Sequence, residues 1–472
     1  MPETRVDTIV RGGQIVTSSQ VYEASIAIAG EKIVALGPEE LLPPADNYID
    51  AEGKFVLPGL IDSHVHLDGH DSYALGAQAA AHAGLTTLIP FGNYSLEGDE
   101  TLPAAINRTR EEVEASAVLD FGFHFILQNR PSILEGLPQA MDMGVKSYKM
   151  FMTYKKRPGR MCDDEQICKA MDLVAQSGGV VQLHCESGNI IEYLENKLLA
   201  EGHTHPTDFP SACPDWAEEE AINRAVMMGE ATGCPTYVVH LSTHLGLERI
   251  KQAQARGQRV WTETCPQYLL LSDAEMARYG PLAKIGPPLR PEDGPDREAL
   301  WHGLEQGYTS IVASDHAPYP QELKQTGWDN IFVDAEGRSV PFGSPGVETL
   351  VPLMYSEGVV KRGLPIWWLA RVMSENPARI FGLYPQKGII QVGSDADLLI
   401  LDPRGDRVVT AKDHLSTAGY TLFEGWEGKG RPWMTLLRGK VLLNQNTLEQ
   451  QPGYGRFLQC GEPRAPVGGP VR

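Results

Sequence analysis

Cysteines are few in this sequence, and no two of them form a CxxC pair. The 472 residues contain seven, at positions Cys162, Cys168, Cys185, Cys213, Cys234, Cys265 and Cys460. This scattered set indicates neither a disulfide framework nor a thiolate zinc site. We therefore expect reduced cysteines with structural roles.

The sequence also lacks long apolar runs and an excess of basic charge. No apolar stretch reaches the roughly 18 residues that a membrane-spanning helix needs, and residues 1–10, MPETRVDTIV, contain no basic region followed by an apolar one. Lysine and arginine number 41 against 61 aspartate and glutamate residues, which gives a net charge of -20. This charge argues against nucleic acid and against an anionic membrane surface as partners. We expect a soluble, cytoplasmic protein.

Both ends of the chain contain short apolar stretches separated by turn residues, a pattern typical of β-strands. A sheet of three or four such strands leaves its edges unpaired and is weakly stable alone. The first 50 residues show this pattern, and matching stretches lie at 397–401, 407–410 and 434–444. We therefore predict that residues 1–54 and 385–472 meet in one small β-sandwich domain.

The middle of the chain, residues 55–384, alternates apolar stretches with amphipathic ones. Candidate strands cover residues 56–66, 86–92, 120–127, 147–154, 180–186, 236–242, 259–264 and 311–315. The connections are long enough for helices, which implies right-handed βαβ units and a closed parallel barrel. No glycine-rich phosphate fingerprint follows an early strand, so a doubly wound open sheet is the second choice. We predict an α/β fold, a distorted TIM (β/α)8 barrel with the composite β-sandwich beside it.

Lys149 lies inside an apolar stretch, SYKMFMTYK, at Ser147–Lys155. Met150, Phe151 and Met152 predict a strand that is buried on both faces. An isolated ammonium in such a strand loses much of its hydration energy, so the lysine must deprotonate or gain a partner. A carboxylate partner, or extension of the side chain to the rim, would also explain this stretch taken alone.

Histidine and aspartate residues stand at the ends of four other candidate strands. They are His64 and His66 on the first strand, His184 on the fifth, His240 on the sixth and Asp315 on the eighth. Because strand side chains alternate, the two imidazoles of an HxH pair face the same side. The carboxyl ends of barrel strands meet at one mouth. One strand-end histidine is usually structural, but the joint set, with Lys149 on the fourth strand, is typical of a metal site.

A second HxH pair, His203-Thr204-His205, lies in a polar loop with no strand before it, and we interpret it as surface or lid. The sequence does not decide between a structural and a functional role for His316, which is next to Asp315. The other histidines are interpreted as structural, and they are His70, His82, His124, His244, His302 and His414.

With these residues in place, the chain resembles the amidohydrolase superfamily. Within it, the chain is similar to the cyclic amidohydrolases, which include dihydropyrimidinases, hydantoinases, allantoinases and dihydroorotases. The motifs that carry the resemblance cover nearly the whole chain. They are GLIDSHVHLD (Gly59–Asp68), SYKMFMTYK (Ser147–Lys155), LHCES (Leu183–Ser187), HLS (His240–Ser242), ETCPQYLLL (Glu263–Leu271), GPPLR (Gly286–Arg290), SDHAP (Ser314–Pro318), GSPGVETLVPL (Gly343–Leu353), ENPARIFGL (Glu375–Leu383) and GSDADLLILD (Gly393–Asp402).

The resemblance implies two divalent metal ions, for which nitrogen and oxygen ligands favour Zn2+, with manganese, cobalt or iron as alternatives. In this family, the lysine that matches Lys149 is carboxylated by CO2, and the resulting anionic carbamate bridges the two ions together with a hydroxide. The other implied ligands are His64, His66 and Asp315 for one ion and His184 and His240 for the second.

The resemblance also implies a reaction, the opening of a cyclic amide at a C–N bond. The metal-bridging hydroxide attacks a ring carbonyl, and Tyr154 donates a hydrogen bond to the developing oxyanion. Asp315 takes the proton from the hydroxide and passes it to the departing nitrogen. The run FMTYK around Tyr154 resembles the FMAYK form of hydantoinases and dihydropyrimidinases, although a strand-end tyrosine is often core packing.

Several positions separate the subfamilies. Asp68 follows Leu67, where dihydroorotases have an arginine that holds the substrate carboxylate. Gly286 stands where hydantoinases usually have serine, and Phe342 precedes Gly343 where they often have asparagine. By resemblance, Gly286, Phe342 and Gly343 lie near the ring amide of the substrate. We predict a hydantoinase or dihydropyrimidinase, with an allantoinase or another cyclic amide or imide hydrolase as the alternative.

Two other functional classes share the family fold. Dihydropyrimidinase-like scaffold proteins have lost their metal ligands, so the complete set here argues against them. Deaminases generally bind one metal ion and lack the bridging lysine.

The resemblance further implies a homo-oligomer, a dimer or tetramer, and the PGYGRFL segment (Pro452–Leu458) resembles family tails used in assembly. The loop at residues 319–345 is predicted either to shape the pocket or to pack as a surface loop.

Overall fold

Strands from the ends and from the middle of the chain form three sheets in the computed structural model, which describes residues 5–67, 71–92, 100–469 and 471. In chain order the strands are β1 (Val6–Arg11), β2 (Gln14–Val16), β3 (Val21–Glu23), β4 (Ser25–Ala29), β5 (Lys32–Gly37), β6 (Ala45–Asp50), β7 (Phe55–Pro58), β8 (Leu60–Val65), β9 (Leu85–Gly92), β10 (Asp120–Phe121), β11 (His124–Ile126), β12 (Ser147–Phe151), β13 (Val180–His184), β14 (Thr236–Val238), β15 (Val260–Thr264), β16 (Ile311–Val312), β17 (Leu398–Val408), β18 (Glu427–Leu437), β19 (Lys440–Asn444) and β20 (Thr447–Leu448).

Helices connect the strands of the middle region. Several begin at a side chain that accepts a hydrogen bond from a backbone N–H of the first turn, as Ser72, Asp163 and Thr243 do. The α-helices are α1 (Tyr73–His82), α2 (Leu102–Ser116), α3 (Leu137–Asp142), α4 (Asp164–Gln176), α5 (Gly188–Glu201), α6 (Phe209–Ala212), α7 (Asp215–Thr232), α8 (His244–Ala255), α9 (Pro266–Leu270), α10 (Ala274–Tyr279), α11 (Asp296–Gln306), α12 (Gln321–Gln325), α13 (Val347–Leu353), α14 (Ile366–Ala370) and α15 (Asn376–Ile380).

The largest sheet curls into a parallel barrel. Strand β8 pairs with β9, and the order then runs β9-β11-β12-β13-β14-β15-β16 with parallel pairing throughout. A parallel bridge between Val65 and His316 joins the two ends, and the N–H of His66 donates to the carbonyl of His316 at 2.8 Å. This arrangement confirms the predicted TIM-like barrel.

The first predicted barrel strand, residues 56–66, is divided by the structure into β7 and β8. Strand β7 pairs with β17 and β2 of the terminal sheet, while only β8 enters the barrel. The turn at Gly59 makes this change, and its N–H donates to the carbonyl of Asp397 at 2.8 Å. An apolar run cannot reveal such a change of sheet, because the strands on both sides of it are buried.

Strands from both chain ends share one sheet, in the order β20-β19-β18-β17-β7-β2-β3. A second sheet, β5-β4-β1-β6, contains N-terminal strands. Side chains of the two sheets, among them Ile26, Ile28, Val56, Leu398 and Ile400, form one apolar cluster. The division into a separate sandwich domain, with limits at 54/55 and 384/385, stays a prediction.

The segment Pro452–Leu458 packs against the barrel of its own chain. The N–H of Phe121 donates to the carbonyl of Arg456 at 3.0 Å, and the N–H of Leu458 donates to the carbonyl of Phe121 at 2.7 Å. These bonds extend the barrel sheet beside β10. Among the helices of the described ranges, none is long and apolar enough to cross a lipid bilayer.

Candidate metal and active site

The polar residues predicted from the strand ends surround one pocket at the carboxyl end of the barrel. Lys149 lies within β12, His184 ends β13, and His66 follows β8 directly. His240 and Asp315 lie two and three residues beyond the ends of β14 and β16, so they belong to the loops rather than to the predicted strands. All of these line the pocket, while His64 is fully buried beneath it.

The first candidate metal group is His64, His66 and Asp315, whose ligand atoms all lie within 4.8 Å of one another. The Nε2 atoms of His64 and His66 lie 3.0 and 3.6 Å from Oδ1 of Asp315. Nδ1 of His64 contacts the carboxylate of Glu263, which leaves Nε2 directed at the pocket. Three donors therefore converge on one point.

The second candidate group, His184 and His240, lies beside the first. Their ring centroids are 4.4 Å apart, and the His240 centroid is 5.4 Å from that of His64. Nε2 of His184 contacts Oε2 of Glu186 at 2.6 Å, so Nδ1 is the remaining ring nitrogen. Four imidazoles, those of His64, His66, His184 and His240, thus lie close together.

Lys149 is buried among these rings. Its Nζ lies 5.3 Å from the ring centroids of both Phe91 and Phe151. Burial lowers the pKa of Lys149 to about 8, although the carboxylates of Asp315 and Glu263 act in the opposite direction. A substantial fraction of this amine is therefore neutral at neutral to mildly alkaline pH.

The donor set fits divalent cations. Among the described residues, Nε2 of His64 and Nδ1 of His240 are buried side-chain atoms without a hydrogen-bond partner, and a metal ion would satisfy both. Burial lowers the pKa of His66, His184 and His240 well below the usual value, which keeps them in the neutral form that binds metal.

His64 differs from the other imidazoles. Burial lowers its pKa, but the carboxylates of Glu263 and Asp315 outweigh this effect and raise it to about 9. The two carboxylates therefore stabilise a positive charge at this ring. A divalent cation bound beside the ring would supply such a charge in place of a proton.

Three site residues adopt a left-handed backbone conformation. Tyr154, His240 and Asp315 have φ values of 65°, 37° and 50°, and they are three of the five non-glycine residues with positive φ in the described part of the chain. Non-glycine residues rarely adopt this conformation, and its cost is tolerated mainly at functional sites. The strained backbone places these three side chains at the mouth.

The predicted substrate-binding positions also line this pocket. A Cβ atom at Gly286 would lie 2.5 Å from Oη of Tyr154 and 3.2 Å from Cδ1 of Phe342. Gly343 has a φ of 119°, and a Cβ there would lie 2.5 Å from Cβ of Ala317. Glycine at position 286 therefore leaves room for Tyr154 and Phe342, and glycine at position 343 leaves room for Ala317.

Glu263 in β15 is a functional candidate that the sequence did not single out. Besides His64, its carboxylate accepts a 2.8 Å hydrogen bond from the hydroxyl of Tyr237 and a 3.3 Å bond from the N–H of His240. The available signal was a glutamate inside the buried strand VWTET. A carboxylate that contacts the ring nitrogen facing away from the metal fixes the orientation of a metal-binding histidine.

The other polar candidates have structural roles. Nδ1 of His316 accepts from the N–H of Gly346 at 3.1 Å, and its Nε2 lies 3.3 Å from Asp71. His205 accepts a hydrogen bond from the N–H of Thr207, as the cap of a short helical turn. Asp68 and His70 lie outside the described residues.

A second group of carboxylates, Asp120, Asp395 and Asp397, also has metal-like spacing. Nζ of Lys387 lies 2.6, 2.9 and 2.6 Å from their oxygens, and Arg438 pairs with Asp120 as well. Lys32 also pairs with Asp395, so three basic side chains already neutralise the three carboxylates, and we interpret the group as an ion cluster.

The loop at residues 319–345 contributes to the pocket through Tyr319, Phe342 and Gly343, whereas Phe332 packs in a buried cluster. Nζ of the buried Lys284 donates to the carbonyl oxygens of Ile331 and Val340, at 2.7 and 3.1 Å. Both predicted roles of the loop therefore occur, in different parts of it.

Comparisons with known proteins show which family the chain resembles. A profile described as the amidohydrolase family matches residues 55–442. D-hydantoinase of Geobacillus stearothermophilus is 34% identical over 464 residues, covering 96% of each chain. L-hydantoinase of Paenarthrobacter aurescens is 34% identical over 460 residues, covering 96% of this chain and 98% of its own.

The crystal structure of dihydropyrimidinase from Brevibacillus agri superimposes with a TM-score of 0.91 at 33% identity, over 97% of this chain and 100% of that chain. Relatives named for D and for L stereochemistry match at the same identity. Sequence identity alone therefore does not distinguish a preference for D substrates from a preference for L substrates.

Proposed function

The chain belongs to the amidohydrolase family and is a hydrolase of cyclic amides, and we propose that its barrel mouth opens rings of the hydantoin or dihydropyrimidine type. The observation that carries this proposal is the convergence of His64, His66, Lys149 and Asp315 on one pocket beside Tyr154. Hydantoinases and dihydropyrimidinases match over nearly the full chain, which supports the same substrate class.

We assign two divalent ions to this mouth, with zinc as the ion that nitrogen and oxygen donors without thiolate favour. When bound, the ions lower the pKa of a coordinated water and polarise the ring carbonyl. His64, His66 and Asp315 would hold one ion, His184 and His240 would hold the other, and carboxylated Lys149 would supply a further ligand to them.

Carboxylation of Lys149 removes the cost of a buried ammonium. The neutral amine attacks the carbon of CO2, and loss of one N–H proton leaves a carbamate with a negative charge on its two oxygens. Because burial lowers the pKa of Lys149 to about 8, the neutral amine is accessible. The carbamate, together with the carboxylates of Asp315 and Glu263, would then offset part of the charge of two divalent cations.

Tyr154 and Asp315 carry the proton and hydrogen-bond chemistry. Burial raises the pKa of Tyr154 well above its usual value, so its hydroxyl stays protonated and donates to the carbonyl oxygen as negative charge develops. Asp315 accepts a proton from the attacking water and delivers it to the departing ring nitrogen. The ring C–N bond breaks, and the single ring-opened product carries a new carboxylate at one end and, at the other, the released nitrogen as an NH2 group.

We further propose a cytoplasmic homo-oligomer, a dimer or tetramer. The seven cysteines are free thiols, which supports a reducing compartment. The oligomer follows from family resemblance, and size-exclusion chromatography with light scattering measures it.

A turnover panel tests the reaction. Zinc-loaded protein is assayed with hydantoin, 5-substituted hydantoins, dihydrouracil, allantoin, dihydroorotate and succinimide. Ring opening is followed by the appearance of the ring-opened acid, which is an N-carbamoyl amino acid from hydantoins and dihydrouracil and succinamic acid from succinimide. The proposal predicts turnover of hydantoins and dihydrouracil. Activity confined to allantoin or dihydroorotate, or no ring opening by metal-loaded protein, would overturn it.

A further inference from the structure

A strongly basic segment follows Tyr154. Four of the six residues 155–160, KKRPGR, are lysine or arginine, in a chain whose net charge is -20. The segment leads from β12 towards α4, so it forms part of the wall of the barrel mouth. A local reversal of charge at this place needs an explanation, because the rest of the chain repels anions.

The four basic side chains of this segment fall into two pairs with different surroundings. Nζ of Lys155 lies 2.7 Å from Glu192, and Nζ of Lys156 lies 2.7 Å from Glu195, so carboxylates of α5 compensate both lysines. Arg157 and Arg160 instead line the same pocket as Lys149 and Tyr154. Arg157 and Arg160 are therefore the basic residues of this segment that line the pocket.

Arg157 is held by aromatic rings. Its guanidinium carbon lies 4.9 Å from the ring centroid of Tyr154 and 5.1 Å from that of Phe342. Within the described ranges, no carboxylate lies at ion-pair distance from this half-buried side chain. Two rings thus fix the plane of the guanidinium, while its N–H groups keep their capacity for an anion.

Arg160 lies on the neighbouring part of the wall, with its guanidinium carbon 5.5 Å from the ring centroid of Phe151. Arg160 lines the same pocket as His66 and Asp315 of the candidate metal group. The two arginines therefore flank the space next to the predicted reaction centre.

We propose that the ring of the substrate carries a short side chain that ends in a carboxylate, unlike dihydroorotate, whose carboxylate is attached to the ring itself. Arg157 binds this side-chain carboxylate and Arg160 attracts it. This inference rests on the proposed ring-opening function. A guanidinium pairs with the two oxygens of a carboxylate through parallel hydrogen bonds, and a preorganised, partly desolvated one does so at lower entropic cost. The substrate class is a hydantoin or dihydropyrimidine with a short acidic side chain.

Two substrates of nearly equal shape test this inference, hydantoin-5-acetic acid and its primary amide, hydantoin-5-acetamide. A hydrogen-bonded charge pair is worth about 1.5–3 kcal/mol, so wild-type kcat/KM is expected to favour the acid by about 10- to 100-fold. In Arg157→Gln, that ratio falls to near one. The matched control Lys156→Gln removes a charge that already pairs with Glu195, and it keeps the wild-type ratio.

Ionic strength gives a second readout. Salt screens the attraction of an anion to the arginines, so kcat/KM for the acid falls with added salt while that for the amide does not. Equal kcat/KM values for acid and amide in wild type, or an unchanged ratio in Arg157→Gln, would overturn the inference while the ring-opening function stands. Failure to open either hydantoin with metal bound would instead overturn the proposed function.

Discussion

At the scale of single residues, the chemistry of the site depends on the state of the Lys149 amine. An ordinary lysine is almost wholly protonated at neutral pH and cannot attack CO2. Here burial among Phe91, Phe151 and four imidazoles lowers the pKa to about 8. The same burial that makes an ammonium costly therefore prepares the amine for carboxylation.

This pKa predicts how reconstitution depends on pH. The folded-state pKa of Lys149 lies below its usual value, so the neutral fraction is about half at pH 8 and about 1% at pH 6. The rate of the carboxylation step of reconstitution, followed as uptake of 13C-labelled CO2 by metal-free protein at constant dissolved CO2, should rise about 50-fold between pH 6 and pH 8 and then level off. A rate that keeps rising to pH 10 would indicate an unperturbed lysine.

Gly286 controls the position of the Tyr154 hydroxyl. Because a Cβ at residue 286 would lie 2.5 Å from Oη, Gly286→Ala should displace Tyr154 and lower kcat by about 10²- to 10³-fold, the typical effect of losing one oxyanion donor. Gly37→Ala is the matched control, since no atom lies within 4 Å of its Cβ position. Full kcat in Gly286→Ala, measured with hydantoin, would contradict the role of Tyr154.

At the scale of elements, strand β15 supplies no proposed metal ligand but organises the ligands of its neighbours. Glu263 contacts His64 of β8, Tyr237 of β14 and the backbone of His240, which lies beyond β14. One carboxylate thereby connects both proposed ligand groups. Its contacts come from strands far apart in sequence, which only barrel closure brings together.

Glu263→Gln should weaken zinc binding by about 10- to 100-fold, because the ring of His64 loses the anion that orients it. Competition with a chelator measures the affinity without any assay of turnover. Tyr237→Phe removes only the 2.8 Å hydrogen bond to Glu263 and should have a smaller effect. Wild-type affinity in Glu263→Gln would refute the positioning role.

The sequence predicted the elements better than it predicted the details of the site. Alternation along a strand placed His64 and His66 on one face, and the order of apolar stretches predicted the barrel, as the parallel sheet confirms. The left-handed backbone of His240 and Asp315 was not predictable, because it depends on loops that tertiary contacts hold in place. The direction of Arg157 depends on Phe342, nearly two hundred residues away, and local pattern contains no such information.

At the scale of the whole molecule, a buried ion cluster joins the barrel to the C-terminal part of the chain. Lys387 is 1% exposed and contacts Asp120 of β10 together with Asp395 and Asp397, which precede β17. Removing one partner of a buried cluster leaves uncompensated charge, and this costs more than the pairing itself contributes. The cluster therefore couples folding of the two regions.

Lys387→Met should lower the free energy of unfolding by about 3–5 kcal/mol, since three buried carboxylates lose their shared cation. Lys169→Met is the matched control, because Lys169 pairs with Glu165 at 2.6 Å while both side chains are exposed, at 61% and 77%, and exposed pairs contribute about 0–1 kcal/mol. Chemical denaturation measures both variants. Equal losses in the two would show that burial of the cluster does not matter.

The account as a whole depends on Lys149 as a carboxylated ligand shared by two cations. Metal content after reconstitution with zinc and bicarbonate tests this most directly, in wild type and in Lys149→Ala. We predict two zinc ions per wild-type chain and fewer than one in Lys149→Ala, with ring opening lost in parallel. Two tightly bound ions in both proteins, or one ion per chain in active wild type, would contradict the account.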